Sequence, residues 1–194
     1  MKPDRPEPLA AKIAVALDRL ARARRIDRQA TAADRGLTVL QVELLSTLAD
    51  GPPPPPTVGA VAIEVGVAQP TATTSLQALE RKGLIERSED PDDARRAVLG
   101  LTPSGREVVQ EIASANLDIV RAIENLPTPV QEATLESLLR IIAHLVDAGT
   151  VSVTRTCLTC SFHREQGGGH HCTLLGVDLP TGDLRVNCPE HEAA

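Results

Sequence analysis

The chain has 194 residues, 42% hydrophobic, with a formal net charge of −6. That is enough apolar content for a real core and excludes global disorder; the length fits one domain plus a small appendage, or two small domains. With no Trp, no Tyr and one Phe, Phe162, pockets and RNA surfaces built on aromatic stacking are excluded, and Leu, Val, Ile and Ala must do the packing.

The negative total does not favour nucleic-acid binding, but a local basic surface is what meets phosphate. One exists at Leu20–Arg28, LARARRIDR. The start, MKPDRPEPLAAK, lacks the apolar run of a signal peptide. No stretch approaches the roughly 18 apolar residues of a membrane helix. A cytoplasmic protein with no membrane partner is expected.

Residues 1–8 are expected to be polar and mobile. A first helix follows over 9–30, with Ile13, Leu17 and Leu20 at helical spacing. Thr38 and Gln41 form a capping box, with Leu37 and Val42 placed to staple across it. Leu40, Leu44, Leu45 and Leu48 continue that helix to Asp50-Gly51. Pro52–Pro56 favour polyproline II and predict a stiff surface connector; a proline-recognition ligand is the alternative.

Thr57–Val65 reads as a short helix, Gly66-Val67 as a turn, and Gln69–Lys82 as a second helix with Pro70 near its start and Gly83 as its stop. Two helices around a Gly-containing turn form a helix-turn-helix pattern. Leu84–Arg87 and Ala97–Leu101 read as strands around the polar loop Ser88–Arg96, a hairpin wing. A long helix from Thr102-Pro103 to Pro127 and another after Thr128 complete the helical part. Thr128 and Gln131 predict a second capping box. Gly149 ends this part, and 150–156 is a linker.

This order resembles the MarR family of bacterial transcriptional regulators over roughly residues 10–148. The residues that carry the resemblance are Leu37-Thr38-x-x-Gln41, Ile63–Leu76, Leu79-Glu-x-x-Gly-Leu-Ile-Glu-Arg87 and, above all, Asp90–Gly105. That last run holds an Asp-x-Arg, a strand and Leu-Thr-x-x-Gly. Two departures are Ala60, where the family often has an acid, and the five added prolines.

The fold expected is therefore mainly α with a small β-hairpin wing. It is a winged helix-turn-helix over 9–149, with dimerisation helices at both ends. In the recognition helix, Ala72, Leu76 and Leu79 serve the core, while Gln69, Thr71, Thr73, Thr74, Ser75 and Gln77 are candidates to reach base edges and phosphates. The resemblance implies that Arg95 enters the minor groove, braced by Asp93, with Arg96 beside it. Glu89, Asp90 and Asp92 weaken phosphate attraction, so binding is expected to be modest and salt-sensitive. The resemblance further implies a homodimer on a pseudo-palindromic double-stranded DNA operator, acting as a repressor. It also implies a small-molecule ligand in the cleft between the dimerisation helices and the winged domain.

All four cysteines lie in 157–194, spaced C-x2-C-x11-C-x15-C at Cys157, Cys160, Cys172 and Cys188. In a reducing compartment this favours metal ligation over disulfides. Four thiolates complete a tetrahedral zinc site, and the same set can hold an iron–sulfur cluster. His163, His170, His171 and His191 are alternates or outer partners. A segment this small with one aromatic needs a metal to fold; a sensory role for that metal is the sharper alternative. An enzyme is not expected, because four cysteines leave a zinc no open position and Gly167-Gly168-Gly169 lacks the residues of a phosphate loop. A metal-binding protein-interaction module without DNA readout is the remaining rival.

Overall fold

The computed structural model describes residues 8–51, 55–90, 97–115, 117–151 and 154–194. Helix α1 (Leu9–Asp34) runs four residues past its expected end. The chain leaves it at Gly36, where φ is +60°, so that Gly36 and Leu37 donate to the Ala33 and Ala32 carbonyls at 3.0 and 2.7 Å. A left-handed glycine satisfying the last carbonyls is the physical stop. The extension serves packing, because Ala32 is buried in the main core.

Helix α2 (Val39–Asp50) begins with the expected capping box. Thr38 Oγ1 accepts from the Gln41 N–H at 3.2 Å, and Gln41 Oε1 accepts from the Thr38 N–H at 3.1 Å. Leu37 and Val42 on either side are both buried. Helix α3 (Val58–Val65) and helix α4 (Gln69–Arg81) pack at the turn made by Gly66, which is left-handed at φ +75°. Strands β1 (Ile85–Glu89) and β2 (Ala97–Leu101) pair antiparallel in the register Ile85↔Leu101 to Glu89↔Ala97. The described end of the proline run joins them, since the Leu99 N–H donates to the Pro56 carbonyl at 3.0 Å.

The Leu-Thr-x-x-Gly run has a steric cause. Thr102 Oγ1 donates to the Gly83 carbonyl at 2.7 Å and accepts from the Gly105 N–H at 3.0 Å. It thereby starts helix α5 (Pro103–Ala115) and ties it to the strand entry. A Cβ at residue 105 would lie 2.0 Å from the Leu84 carbonyl oxygen. Only glycine lets these two backbones approach.

Helices α6 (Leu117–Glu124) and α7 (Thr128–Asp147) follow, with Asn116 outside the described residues. The second capping box does not form. Pro127 occupies the N-cap, Thr128 is already helical, and no side chain caps the end. The Gln131 N–H instead bonds the Pro127 carbonyl at 3.1 Å, and its side-chain amide donates to the Leu126 carbonyl at 2.8 Å. Proline's fixed φ, here −57°, suits the residue just before a helix and moves the start back by one.

The main core is aliphatic: Leu44, Leu45, Val61, Leu76, Leu79, Leu99, Val108 and Ile112 lie among its buried members. A second, smaller core lies under the C-terminal segment. There β3 (His163–Gln166), β4 (Gly169–Cys172) and β5 (Val177–Leu179) form an antiparallel sheet in that order. Two short 3-10 turns, Cys157–Thr159 and Thr181–Asp183, pack against α7. Leu139, Cys157 and Leu184 are buried at that contact, with Leu135, Leu158 and Leu179 against them. No helix among the described residues is long and apolar enough to cross a membrane.

Candidate functional site

Helix α4 turns Ala72, Leu76 and Leu79 into the core, at spacings of four and three. The opposite face is what can meet a partner. Gln69, Thr71, Thr74 and Gln77 are exposed there; Thr73 and Ser75 are half-buried at its flanks. The threonine hydroxyls are less free than the sequence suggests. Thr73 Oγ1 donates to the Gln69 carbonyl at 2.8 Å and Thr74 Oγ1 to the Pro70 carbonyl at 3.0 Å. With their protons turned inward, these side chains offer outward lone pairs and a methyl group, not O–H donors. Gln69 and Gln77 are the exposed amides of the set, and Gln77 lies nearest the middle of the outward face.

Arg81, exposed in the last turn of α4, belongs to the same face. It lies seven residues after Thr74 and four after Gln77, a spacing already visible in the sequence. It adds the positive charge the other members lack.

The wing is fastened to this helix. Arg87 on β1 donates from Nε to Glu80 on α4 at 3.0 Å. Asp90, at the end of β1, is buried. Asp93, Arg95 and Arg96 lie outside the described residues.

The match with known proteins covers the same segment. Residues 35–96 match the MarR family. No curated protein matches the sequence. Solved structures match well beyond that segment. The transcriptional regulator PA3341 is 26% identical, with TM-score 0.61, covering 70% of this chain and 98% of its own. A MarR-family regulator from Silicibacter pomeroyi is 21% identical, with TM-score 0.61, covering 71% of this chain and 92% of its own. CouR from Rhodococcus jostii, solved with p-coumaroyl-CoA, is 21% identical, with TM-score 0.58, covering 70% and 94%. The matched segment thus sits in a winged-helix fold shared with solved structures described as transcriptional regulators.

Beyond the matched segment, Cys157, Cys160, Cys172 and Cys188 line a single cavity of about 30 Å³. Phe162, Leu174, Leu175 and Leu179 form its apolar wall, and His163 and Glu190 reach it. All four cysteines are unpaired thiols. As they stand, no three His, Cys, Asp or Glu among the described residues are arranged to hold a metal ion. Burial pushes the Cys157 thiol above its ordinary pKa. The Arg185 N–H, donating to its sulfur at 3.2 Å, pulls the other way, while the nearby Cys188, Cys160 and Cys172 push it further up.

The histidines separate into different roles. His163 lines the cavity and meets His170 at 3.0 Å between Nε2 and Nδ1; burial, then the His170 charge, hold its pKa below the usual value. His170 is buried and faces α7, 3.8 Å from Glu136. His171 pairs with Asp178 at 2.8 Å. The His191 ring lies within 3.1 Å of both Oγ1 and the carbonyl of Thr159, and so steadies the turn that carries Cys157 and Cys160.

Proposed function

We propose that the protein is a dimeric, sequence-specific DNA-binding repressor whose C-terminal segment is folded around one zinc ion. The observation that carries the DNA reading is the outward face of α4, with Thr74, Gln77 and Arg81 in line and the wing locked beside it through Arg87 and Glu80. An amide can make paired hydrogen bonds to adenine, arginine to guanine or phosphate, and the threonine methyl can meet thymine. Rigid attachment to a core helix fixes their register in the major groove.

Dimerisation is supported by uncovered apolar surface at both ends of the MarR-like part. Leu9, Ile13 and Leu20 on α1, Val120 and Ile123 on α6, and Val130, Leu138 and Ile141 on α7 are exposed. Apolar side chains left exposed on the terminal helices are surface that a second copy would cover. A cleft of about 660 Å³ between α1 and α2, lined by Leu17, Leu20, Arg24, Arg25 and Arg28, is the candidate place for a small-molecule ligand.

For the cysteines, zinc fits the donor set. Four thiols face one space, and the backbone N–H on Cys157 Sγ is the kind of donor that stabilises a bound thiolate. Side-chain rotations would still have to draw the sulfurs in to the roughly 2.3 Å of a zinc–sulfur bond.

The test of the DNA reading is a duplex selected by the protein from a random library and titrated by fluorescence anisotropy. Gln77→Ala and Arg95→Ala should each weaken binding by about 1–3 kcal/mol, against an unchanged Ser114→Ala control. Unchanged affinity in both would remove the winged helix from DNA readout. Metal analysis of protein purified without oxygen should give a colourless protein with one zinc per chain; a brown one would replace zinc with an iron–sulfur cluster.

A further inference from the structure

Two of the four thiols sit on one seam of backbone. Cys157 and Arg185 are joined twice: the Cys157 N–H donates to the Arg185 carbonyl at 3.0 Å, and the Arg185 N–H donates to Cys157 Sγ at 3.2 Å. Two residues earlier, Arg155 bridges Asn187, and its carbonyl accepts from the Cys188 N–H at 2.8 Å. Whatever holds Cys157 and Cys188 together therefore also holds the backbone of Arg155.

The side chain of Arg155 leaves the cysteine segment altogether. Its Nη2 meets Glu64 Oε1 at 3.0 Å and the Asp50 carbonyl at 3.5 Å. Glu64 stands in the last turn of α3, two residues before the Gly66 turn into the recognition helix, and Asp50 closes α2. The pair is 16% and 26% exposed. It is thus largely shielded from water and salt, unlike the exposed pair of Arg140 on α7 with Glu165 on β3. Arginine's fixed fork suits this contact, taking a carboxylate and a carbonyl at once.

We infer that Arg155 couples zinc occupancy of the cysteine cavity to DNA affinity, by clamping Glu64 and with it the position of the helix-turn-helix. With the ion bound, the seam is closed, and the guanidinium holds α3 and the end of α2 in the DNA-binding arrangement. With the ion removed, the seam loosens, the clamp opens, and operator binding weakens. A ligand shifts an equilibrium only through contacts that differ between the two states. The Arg155 clamp is such a contact, because its backbone anchor is the metal-bearing seam. The inference rests on the zinc and DNA readings above.

The experiment uses the reduced full chain, zinc-loaded or chelated, and a duplex selected by the zinc-loaded wild type from a random library. Chelation should weaken wild-type binding about fivefold or more, the scale of ordinary coupling between sites. Glu64→Gln and Arg155→Ala should each keep one zinc per chain, yet bind the duplex equally with and without it, near the level of the chelated wild type. The exchanged pair, Glu64→Arg with Arg155→Glu, should regain zinc dependence. Amides of residues 58–65 should exchange faster in chelated wild type and in zinc-loaded Glu64→Gln. Variants that keep the full wild-type response to zinc would overturn the clamp. A wild type that binds zinc and DNA independently would overturn the coupling while leaving both binding readings standing. A chain that takes up no zinc or selects no duplex would overturn the inference together with the reading beneath it.

Discussion

The MarR-like part and the cysteine segment solve the problem of stability in opposite ways. The first buries fully a set of large aliphatic side chains, Leu44, Leu45, Leu76, Leu79 and Leu99 among them. The second buries Leu184 and Cys157 against Leu139 of α7, with Leu135 beside it only partly buried, and leaves Leu174, Leu175, Val177 and Val186 exposed. At about 25 cal/mol per Å² of apolar surface removed from water, only the first accumulates enough to offset the ordering of its chain. The second, as proposed above, relies on docking and on an ion held by its thiols. A chain can thus carry a self-sufficient domain and a dependent one, and the dependent one is free to report on its ligand.

The largest expected effect breaks this pair apart. Cys157→Ser with Cys160→Ser should remove most of the roughly 10 kcal/mol or more that ligation contributes in small zinc domains. Amide exchange in 157–194 should become fast, while the helical circular dichroism of residues 8–147 stays. Retained protection in the C-terminal segment would mean that its docking on α7 suffices without metal. Gly105→Ala acts on the other side. Its Cβ meets the Leu84 carbonyl oxygen, backbone that cannot rotate away, so about 3 kcal/mol or more of winged-helix stability should be lost. Zinc content should be untouched, and a mutant as stable as wild type in urea would disprove the close approach.

How legible these features were in the sequence follows their range along the chain. The Thr38–Gln41 box is a local pattern and forms as read. The Thr128–Gln131 pattern looks identical, yet Pro127 shifts the helix start, because one fixed φ outweighs a side-chain cap. The need for glycine at 105 could be recognised as part of a family signature, but its cause, a carbonyl 21 positions away, becomes visible only once α5 and the strand entry pack together. Arg81 is within reach of a helical-face count, seven positions after Thr74 and four after Gln77. Spacing alone could not say that His163 lines the thiol cavity while His170, His171 and His191 face Glu136, Asp178 and Thr159. Least legible was Arg155 with Glu64, 91 positions apart, since nothing periodic links an arginine in a linker to a glutamate in the helix-turn-helix.

The smallest effect sharpens the comparison where the two parts share no atoms. Thr38→Ala removes the acceptor for the Gln41 N–H and keeps only the reciprocal bond, from the residue-38 N–H to Gln41 Oε1. Loss of such a cap costs about 1 kcal/mol. That should appear as a small shift of the urea midpoint for the winged helix, with an unchanged slope, because the same surface is exposed on unfolding. If the two parts differ as argued, exchange protection of 157–194 should not follow that shift so long as zinc is present, because ligation rather than α2 sets its local stability. Equal loss of protection in both regions would show that they unfold as one cooperative unit. The contrast would then lie in how each part is built, not in how each part melts.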